Sequence, residues 1–212
     1  SDALILDAGC GHAYAALWLA QHYPDYALRA LEVDAHLVDV GKRNASAMGL
    51  DNMEFCVGSI CTLNKVDTYD LIMSLDVLEH IPDDVGTLKA FRRALRAEGW
   101  LLLHLPRRHQ EHRRFFPVFK NHTTPEHVRD EYTEEEIRAR LRQTGFHVEY
   151  VRYGFSMLGE LAFELNNLFW ERLPLRLSLA FLFHPLCVLL AYADTRRDYD
   201  DGNSLLVLAR PK

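Results

Sequence analysis

Cysteine is scarce in this chain, and its arrangement excludes two kinds of protein. The 212 residues contain 4 cysteines, and no two of them form a Cys-x-x-Cys pair. They are Cys10, Cys56, Cys61 and Cys187. Disulfide-stapled domains and structural zinc sites need thiols that are denser or more regularly spaced. We therefore expect reduced thiols, no disulfide framework and no metal site.

Several other features are absent as well. Positive charge is not in excess, because the formal net charge is -6, and this argues against a nucleic-acid partner. No apolar run of about twenty residues is free of both charge and proline, so we expect no membrane-spanning helix. No signal peptide precedes the first predicted strand, which favours a cytoplasmic location. Because the chain begins abruptly at that strand, we also expect a further segment ahead of residue 1.

The sequence shows no internal repeats and no low-complexity linker. With 49% apolar and 25% charged residues, its composition is that of a globular protein rather than a disordered one. A chain of this length is long enough to bury a sizeable core. We therefore predict a single domain over residues 1–212.

The clearest pattern lies at residues 3–13, ALILDAGCGHA. A short apolar run predicts a buried strand that ends at Asp7, and Gly9 and Gly11 follow before a predicted helix at 12–22. Glycine lets backbone approach a ligand, and the N–H groups of a helix start point towards it. This D-x-G-x-G pattern lacks the third glycine of the dinucleotide fingerprint and the Lys-Ser/Thr of a phosphate loop. It predicts a ligand-binding turn beside a carboxylate, which disfavours a pyrophosphate.

The second predicted strand, 27–33, carries an acid near its end. Glu32 lies about twenty residues beyond the glycine turn, the spacing at which a βαβ unit returns a carboxylate to the ribose of a nucleoside. Asp34 follows closely and has two possible roles. It either adds a contact to the same ligand or forms the N-cap of the next predicted helix, 35–48.

With these motifs the chain resembles the class I S-adenosylmethionine-dependent methyltransferases. Residues 76–84, DVLEHIPDD, and 91–106, FRRALRAEGWLLLHLP, are similar to the branch that includes the ubiquinone-biosynthesis O-methyltransferases. The resemblance implies S-adenosyl-L-methionine as cofactor and S-adenosyl-L-homocysteine as product. It also implies an α/β fold with a doubly wound, seven-stranded, mostly parallel sheet whose last strand is antiparallel.

The resemblance assigns cofactor contacts to the ends of the first four strands. Ser59 stands where many relatives have an acid that bonds the adenine, and Ile60 would pack on the adenine ring. Leu75 and Asp76 end the fourth strand, beside the methionine part of the cofactor. The full set of predicted cofactor-binding residues is Asp7, Gly9, Gly11, Glu32, Asp34, Ser59, Ile60, Leu75 and Asp76.

Three histidines are candidates for the base that takes a proton from the acceptor. His80 follows the fourth strand and is either a structural hydrogen-bonding residue or a base. His104 ends the fifth strand, and His127 lies in a long loop. Either of these two can accept a proton at neutral pH.

The loop at 107–132 has no helical or strand periodicity, and a loop of this length is usually functional, often as a lid. Arg107, Arg108 and Arg113 form a basic cluster in it. Guanidinium groups suit carboxylates and phosphates, so the cluster predicts either an anionic substrate or lipid surface or a solvated positive face. The histidine spacings in this loop match no standard metal site.

Smaller structural expectations come from helix patterns. We expect Leu17 and Trp18 to face the sheet. Thr133 and Glu136 form a capping box, and Glu136 is also spaced to pair with Arg140 one turn later. A helix after residue 82 is expected to end just before residue 99.

An apolar insertion at 155–203 precedes the last strand. It contains a predicted amphipathic helix at 157–170 and an apolar stretch at 173–192, which Arg176 and His184-Pro185 interrupt. It suits the wall of a substrate pocket, a peripheral membrane patch or a homodimer interface through 155–193.

These features predict methyl transfer from S-adenosylmethionine to a small-molecule or lipid-like acceptor, with oxygen ahead of nitrogen and carbon. Two alternatives stay open. One is a nicotinamide-dependent oxidoreductase, which would share the sheet and the acid of the second strand. The other is a membrane- or partner-binding protein that keeps the fold without turnover.

Overall fold

Strands and helices alternate along the chain and build one sheet with helices on both faces. The computed structural model describes residues 3–108, 115–116, 131–168 and 176–212. The strands are β1 (Leu4–Ala8), β2 (Ala27–Glu32), β3 (Met53–Val57), β4 (Tyr69–Leu75), β5 (Leu95–Pro106), β6 (Phe146–Gly154) and β7 (Ser204–Pro211). The α-helices are α1 (Tyr14–His22), α2 (Ala35–Ala47), α3 (Asp84–Ala94), α4 (Glu134–Gln143), α5 (Met157–Asn167) and α6 (Arg176–Thr195).

The 7 strands lie in the order β3-β2-β1-β4-β5-β7-β6. Strands β1 to β5 pair in parallel, and β7 runs antiparallel between β5 and β6. This confirms the predicted doubly wound, mostly parallel sheet with an antiparallel last strand. In such a sheet ligands bind beyond the carboxyl ends of the strands, where the order reverses beside β1.

The two faces of the sheet bury separate apolar clusters. Successive strand residues point to opposite faces, so Ile5 packs with Leu17 of α1, whereas Leu6 packs with Phe91 of α3. Helices α1 and α2 cover one face, and α3 and α4 cover the other. Both faces of the central strands β1 and β4 are therefore covered, as their continuous apolar runs require.

The prediction that Trp18 faces the sheet is wrong. Leu17 is 5% exposed, but Trp18 is 53% exposed and stacks on His22 with 4.2 Å between ring centroids. The buried positions of this segment are residues 13, 16, 17 and 20, which follow the i, i+3, i+4, i+7 spacing of one helix face. Residue 18 lies off that face.

The predicted pair between Glu136 and Arg140 is also wrong, although the capping box of Thr133 and Glu136 is confirmed. Glu136 pairs with Arg108 at 2.7 Å. Arg140 instead approaches Asp84, at 3.2 Å. The Asp84 side chain is buried, and a buried acid needs a charged partner more than an exposed helix pair does.

Several boundaries differ from their predictions. Helix α3 ends at Ala94 and β5 begins at once, so residue 99 lies inside that strand. The insertion forms α5 and α6, with Pro185 inside α6, and residues 169–175 lie outside the described part of the chain. Among the described residues, no helix combines the length and apolar character needed to cross a membrane.

Candidate cofactor and acceptor site

The turn between β1 and α1 is held against the ends of β2 and β4. The N–H groups of Gly9 and Cys10 donate to the Leu31 carbonyl, at 2.8 and 3.1 Å. Gly9 has a φ of 82°, and a Cβ built there would lie 2.8 Å from both methyl carbons of Val77. Glycine is therefore required at this position for conformation and for space.

Glu32, the last residue of β2, accepts hydrogen bonds from the glycine turn and from its own strand end. Its Oε2 accepts the Gly11 N–H at 2.9 Å, and its Oε1 accepts those of Val33 and Asp34 at 2.8 and 3.1 Å. An ionised carboxylate offers about four acceptor sites, so capacity is left for a hydroxyl donor. A Cβ built on Gly11 meets nothing within 4 Å. Open space therefore adjoins this carboxylate.

Asp7 places a second acid behind the turn. It is 3% exposed, and burial raises the pKa of its carboxyl to about 7, with the nearby Glu32 adding to the effect and a backbone bond from Ala16 opposing it. Burial likewise raises the pKa of the Cys10 thiol to about 12, reinforced by the two acids. This environment disfavours further negative charge. It suits a ligand that carries hydroxyls or positive charge, and it suits phosphates poorly.

The predicted contacts after β2 and β3 lie beside Glu32. The Gly58 N–H that follows β3 donates to the Glu32 carbonyl at 2.8 Å. Asp34 accepts a backbone N–H of α2 at 2.8 Å and is the N-cap of that helix, the second of its two predicted roles. Ser59 caps a short 3₁₀ turn at Ile60–Thr62, and Ile60 is 5% exposed.

A histidine–carboxylate pair joins the ends of β4 and β5. Asp76 follows Leu75 with a φ of 54°, and its N–H donates to the His104 carbonyl at 2.9 Å. Its Oδ1 lies 2.7 Å from His104 Nδ1. A carboxylate only accepts hydrogen bonds, so this contact requires a proton on Nδ1, and Nε2 is then an acceptor in the neutral ring.

Glu79 is a buried acid of this region that the sequence analysis did not place in the site. It is 1% exposed, and its Oε2 has no hydrogen-bond partner among the described residues. Burial raises its pKa to about 7, and Asp76 adds to the rise. The predicted base His80 lies next to it, with 4.0 Å between His80 Nε2 and Glu79 Oε1. The quoted segment 76–84 contains Glu79, but nothing in the sequence marks it as buried.

In the described part of the predicted lid, 107–132, the residues form ion pairs and hydrogen bonds with carboxylates. Arg107 pairs with Asp201, and Arg108 pairs with Glu136 at 2.7 Å. The N–H of residue 116 donates to Glu164 of α5 at 2.7 Å. The other two predicted residues of this loop, Arg113 and His127, lie outside the described residues.

A cavity of about 470 Å³ lies between the insertion and the ends of β5, β6 and β7. His104 lines it, and the His104 ring lies 6.1 Å from the Phe155 ring. Much of its lining is apolar, including Phe155 directly after β6, Phe163 of α5 and Val188 of α6. The histidine–carboxylate pair therefore stands between the strand-end crevice beside β1 and this cavity.

The outer face of α6 is apolar and exposed. Phe181, Leu182 and Leu189 are 68%, 69% and 62% exposed. The predicted use of this face as a membrane patch or homodimer interface stays a prediction.

Comparison with known families gives one match over most of the chain. Residues 1–152 match a family model described as "Methyltransferase domain". Among curated proteins, (S)-coclaurine N-methyltransferase of Thalictrum flavum subsp. glaucum is 25% identical over 99 residues, 47% of this chain and 27% of that protein. Probable (S)-tetrahydroprotoberberine N-methyltransferase 2 of Papaver bracteatum is 29% identical over 77 residues, 36% of this chain and 22% of that protein. The matched segments thus span about a quarter of these relatives.

Solved structures share the fold over the whole chain. A putative sarcosine dimethylglycine methyltransferase from Galdieria sulphuraria superposes with a TM-score of 0.66 at 16% identity, over 99% of this chain and 77% of that one. A putative methyltransferase from Bacillus halodurans superposes with a TM-score of 0.65 at 18% identity, over 100% of this chain and 94% of that one. At such identities these likenesses concern the fold alone.

Proposed function

The chain belongs to the methyltransferase domain family, and from this premise we propose that it transfers a methyl group from S-adenosylmethionine to a small-molecule acceptor. S-adenosylmethionine is the donor that membership of this family implies. The predicted class I methyltransferase family is confirmed by the match over residues 1–152. The predicted ubiquinone-biosynthesis branch stays a prediction.

The observation that carries the proposal is the Glu32 carboxylate at the strand-end crevice. Its spare acceptor capacity suits ribose hydroxyls, and the open space beside Gly11 leaves room for a nucleoside. The buried acid Asp7 behind the turn speaks against a pyrophosphate there, and therefore against the nicotinamide-dependent alternative, whereas Glu32 would suit the ribose of either ligand. A ligand with a sugar and a positive charge fits these residues better than a dinucleotide does.

Different residues would bind different parts of the cofactor. Glu32 would hold the sugar, Ser59 and Ile60 the base, and Asp76 with Leu75 the amino-acid part. When bound, the cofactor supplies a methyl group that its sulfonium already activates. The protein's own tasks are then to align the acceptor, exclude water and receive a proton.

His104 is the base that the geometry favours over His80. Its Nδ1 is engaged by Asp76, so its Nε2 is available to take the proton that an O–H or N–H acceptor releases on methylation. Asp76 would orient the ring and stabilise the imidazolium that forms. His104 also lines the cavity, where an acceptor can reach it, whereas His80 lies against Glu79.

The acceptor atom expected from the sequence is oxygen, and this stays a prediction. Both curated relatives are named N-methyltransferases, so an acceptor screen for this chain should offer amines as well as phenols and alcohols. The lipid-like acceptor, the cytoplasmic location and the anionic site at Arg107, Arg108 and Arg113 also stay predictions.

Turnover of S-adenosylmethionine tests the proposal. The protein is incubated with the donor and pooled amines, phenols and alcohols, and S-adenosylhomocysteine and the methylated product are measured by mass spectrometry. We expect His104→Ala to lower kcat by about 100-fold or more, the usual contribution of a general base, with the Kd for S-adenosylhomocysteine unchanged.

His147→Ala is the matched control, since that side chain is 61% exposed on β6 and should leave kcat unchanged. An equal kcat for wild type and His104→Ala would contradict the assignment of the base. Cofactor binding with no product from any acceptor class or cell extract would favour the non-catalytic alternative.

A further inference from the structure

Asp194, in the last turn of α6, is a buried acid with one oxygen unused. The residue is 6% exposed and lines the 470 Å³ cavity. Its Oδ2 accepts the Ser156 N–H at 3.2 Å, but its Oδ1 is buried with no hydrogen-bond partner among the described residues. Leaving such an acceptor unpaired is unfavourable. A donor bound in the cavity would satisfy this oxygen once the carboxyl turns towards it.

Arg152, the arginine among the lining residues, pairs with groups other than Asp194. Arg152 also lines the cavity, but its Nη2 group donates to the carbonyls of Thr195 and Arg197, at 2.5 and 2.7 Å. Its Nε lies 3.4 Å from Asp198. Asp194 thus has no ion pair within the described part of the chain, and the contacts that Arg152 makes through Nη2 and Nε go to other groups.

A second polar atom of the lining is likewise unsatisfied. The Oγ of Ser204 is buried without a partner among the residues described, and Ser204 lines the same cavity. A Cβ on Gly154 would lie 2.7 Å from that Oγ, so glycine keeps the space next to the hydroxyl. Two residues of the lining, Asp194 and Ser204, therefore each carry an acceptor that lacks a partner among the described residues.

Capping of α5 accounts for only half of the Asp194 carboxyl. Ser156, the N-cap residue of α5, makes no side-chain cap bond, and Asp194 Oδ2 supplies an acceptor to its N–H instead. That role needs one oxygen and no charge. It leaves the second oxygen, and its burial beside apolar side chains, unexplained.

We propose that this cavity is the acceptor site and that the acceptor is a hydrophobic amine whose ammonium group pairs with Asp194. The ammonium donates to Asp194 Oδ1 and Ser204 Oγ, and an apolar body lies against Phe155 and Val188. The volume is within the range of about 300–1,000 Å³ usual for small-molecule sites. The claim that the bound amine is the methyl acceptor rests on the proposed methyl transfer. The claim that the cavity binds an amine does not depend on it.

Binding of a matched pair of probes tests the inference. We would titrate the protein, without cofactor, with 2-phenylethylamine and with 2-phenylethanol at neutral pH, following ligand signals by NMR. The two probes share the apolar body and differ in the charged group. We expect the amine to bind about tenfold more tightly, because a charge-assisted hydrogen bond is stronger than a neutral one by roughly that factor.

Asp194→Asn keeps an acceptor for the Ser156 N–H and removes the charge. It should bring the affinity ratio of the two probes to about one, since the amine loses its counter-charge. Asp200→Asn makes the same change at an exposed position a few residues later and should keep the wild-type ratio. If Asp194→Asn does not fold, Ser204→Ala replaces it and should weaken the amine more than the alcohol.

Equal binding of the two probes by the wild type would overturn the inference, as would binding of neither at millimolar concentration or an unchanged ratio in Asp194→Asn. S-adenosylhomocysteine binding is measured on the same samples. If the protein does not bind S-adenosylhomocysteine but still prefers the amine probe to the alcohol, the methyltransferase proposal is wrong and the amine site is retained.

Discussion

Asp7 is an acidic residue whose burial disfavours its ionised form. Its carboxyl pKa is raised from 3.8 to about 7 in the folded protein, chiefly by burial. Between those values the folded chain holds a proton that the unfolded chain has released. Folding therefore takes up protons in this window, and the free energy of unfolding falls as the pH rises through it. Glu79, with a pKa raised to about 7, acts in the same direction.

Asp7→Asn should remove one of these two contributions. We expect Asp7 and Glu79 each to lower the free energy of unfolding of the wild type as the pH rises from about 4 to about 7, by at most about 1.4 kcal/mol per pH unit. The Asn variant should show a shallower slope in urea unfolding measured across that range. Glu79→Gln should flatten the slope by a similar amount. A slope in Asp7→Asn equal to that of the wild type would contradict the shifted pKa.

Sequence spacing could single out Glu32 but not Asp194. Glu32 follows a glycine turn by a distance that a βαβ unit fixes, so local geometry carries the prediction. Asp194 meets the Ser156 N–H across 38 positions, through the packing of α6 on α5. Which buried acid keeps an unpaired oxygen depends on tertiary contacts, and no pattern in the surrounding residues encodes it.

At the scale of elements, the site depends on how closely the β1–α1 turn approaches the segment after β4. Gly9 brings the turn against Val77, and Asp76, the residue before Val77, bonds to His104. One glycine therefore sets the spacing between the cofactor turn and the histidine–carboxylate pair. Three of the non-glycine residues with positive φ, Ala13, Asp76 and Phe155, lie at the end of this turn or directly after β4 and β6.

Gly9→Ala should destabilise the protein more than Gly49→Ala. Both glycines have positive φ, 82° and 69°, but a Cβ at Gly49 meets nothing within 4 Å. The backbone change costs about 1–2 kcal/mol at either site, and Gly9→Ala adds the clash with Val77. Urea unfolding of both variants measures the difference, and Val77→Ala in the Gly9→Ala background should recover part of it. Equal losses for the two variants would contradict the close approach.

The order and type of the elements were predictable because strand and helix patterns alternate clearly. Which side chains of each helix face the core or a partner was less predictable. The aromatic ring of Trp18 suggested burial, but the small residues Ala16 and Ala20 set the buried face of α1. Similarly, Arg140 was expected to pair within its own helix and instead approaches buried Asp84 of α3. Both errors arise where a partner from another element decides the outcome.

At the scale of the molecule, two spaces lie along one edge of the sheet, with the ends of β4 and β5 between them. The strand-end crevice beside β1 and β2 holds Glu32, and the cavity under α5 and α6 holds Asp194. Asp76 and His104 lie between them, at the ends of β4 and β5. A donor bound in the crevice and an acceptor bound in the cavity would meet at this pair, which is the arrangement that methyl transfer requires.

The central claim is that the crevice binds the cofactor through Glu32, and calorimetric titration with S-adenosylhomocysteine tests it most directly. Glu32→Gln should lose about 1–3 kcal/mol of binding free energy, the usual cost of a lost charged hydrogen-bond partner. Glu54→Gln makes the same change on β3, where the carboxylate pairs with Arg29, and should bind as the wild type does. Wild-type affinity in Glu32→Gln, or no binding by the wild type at all, would contradict the account.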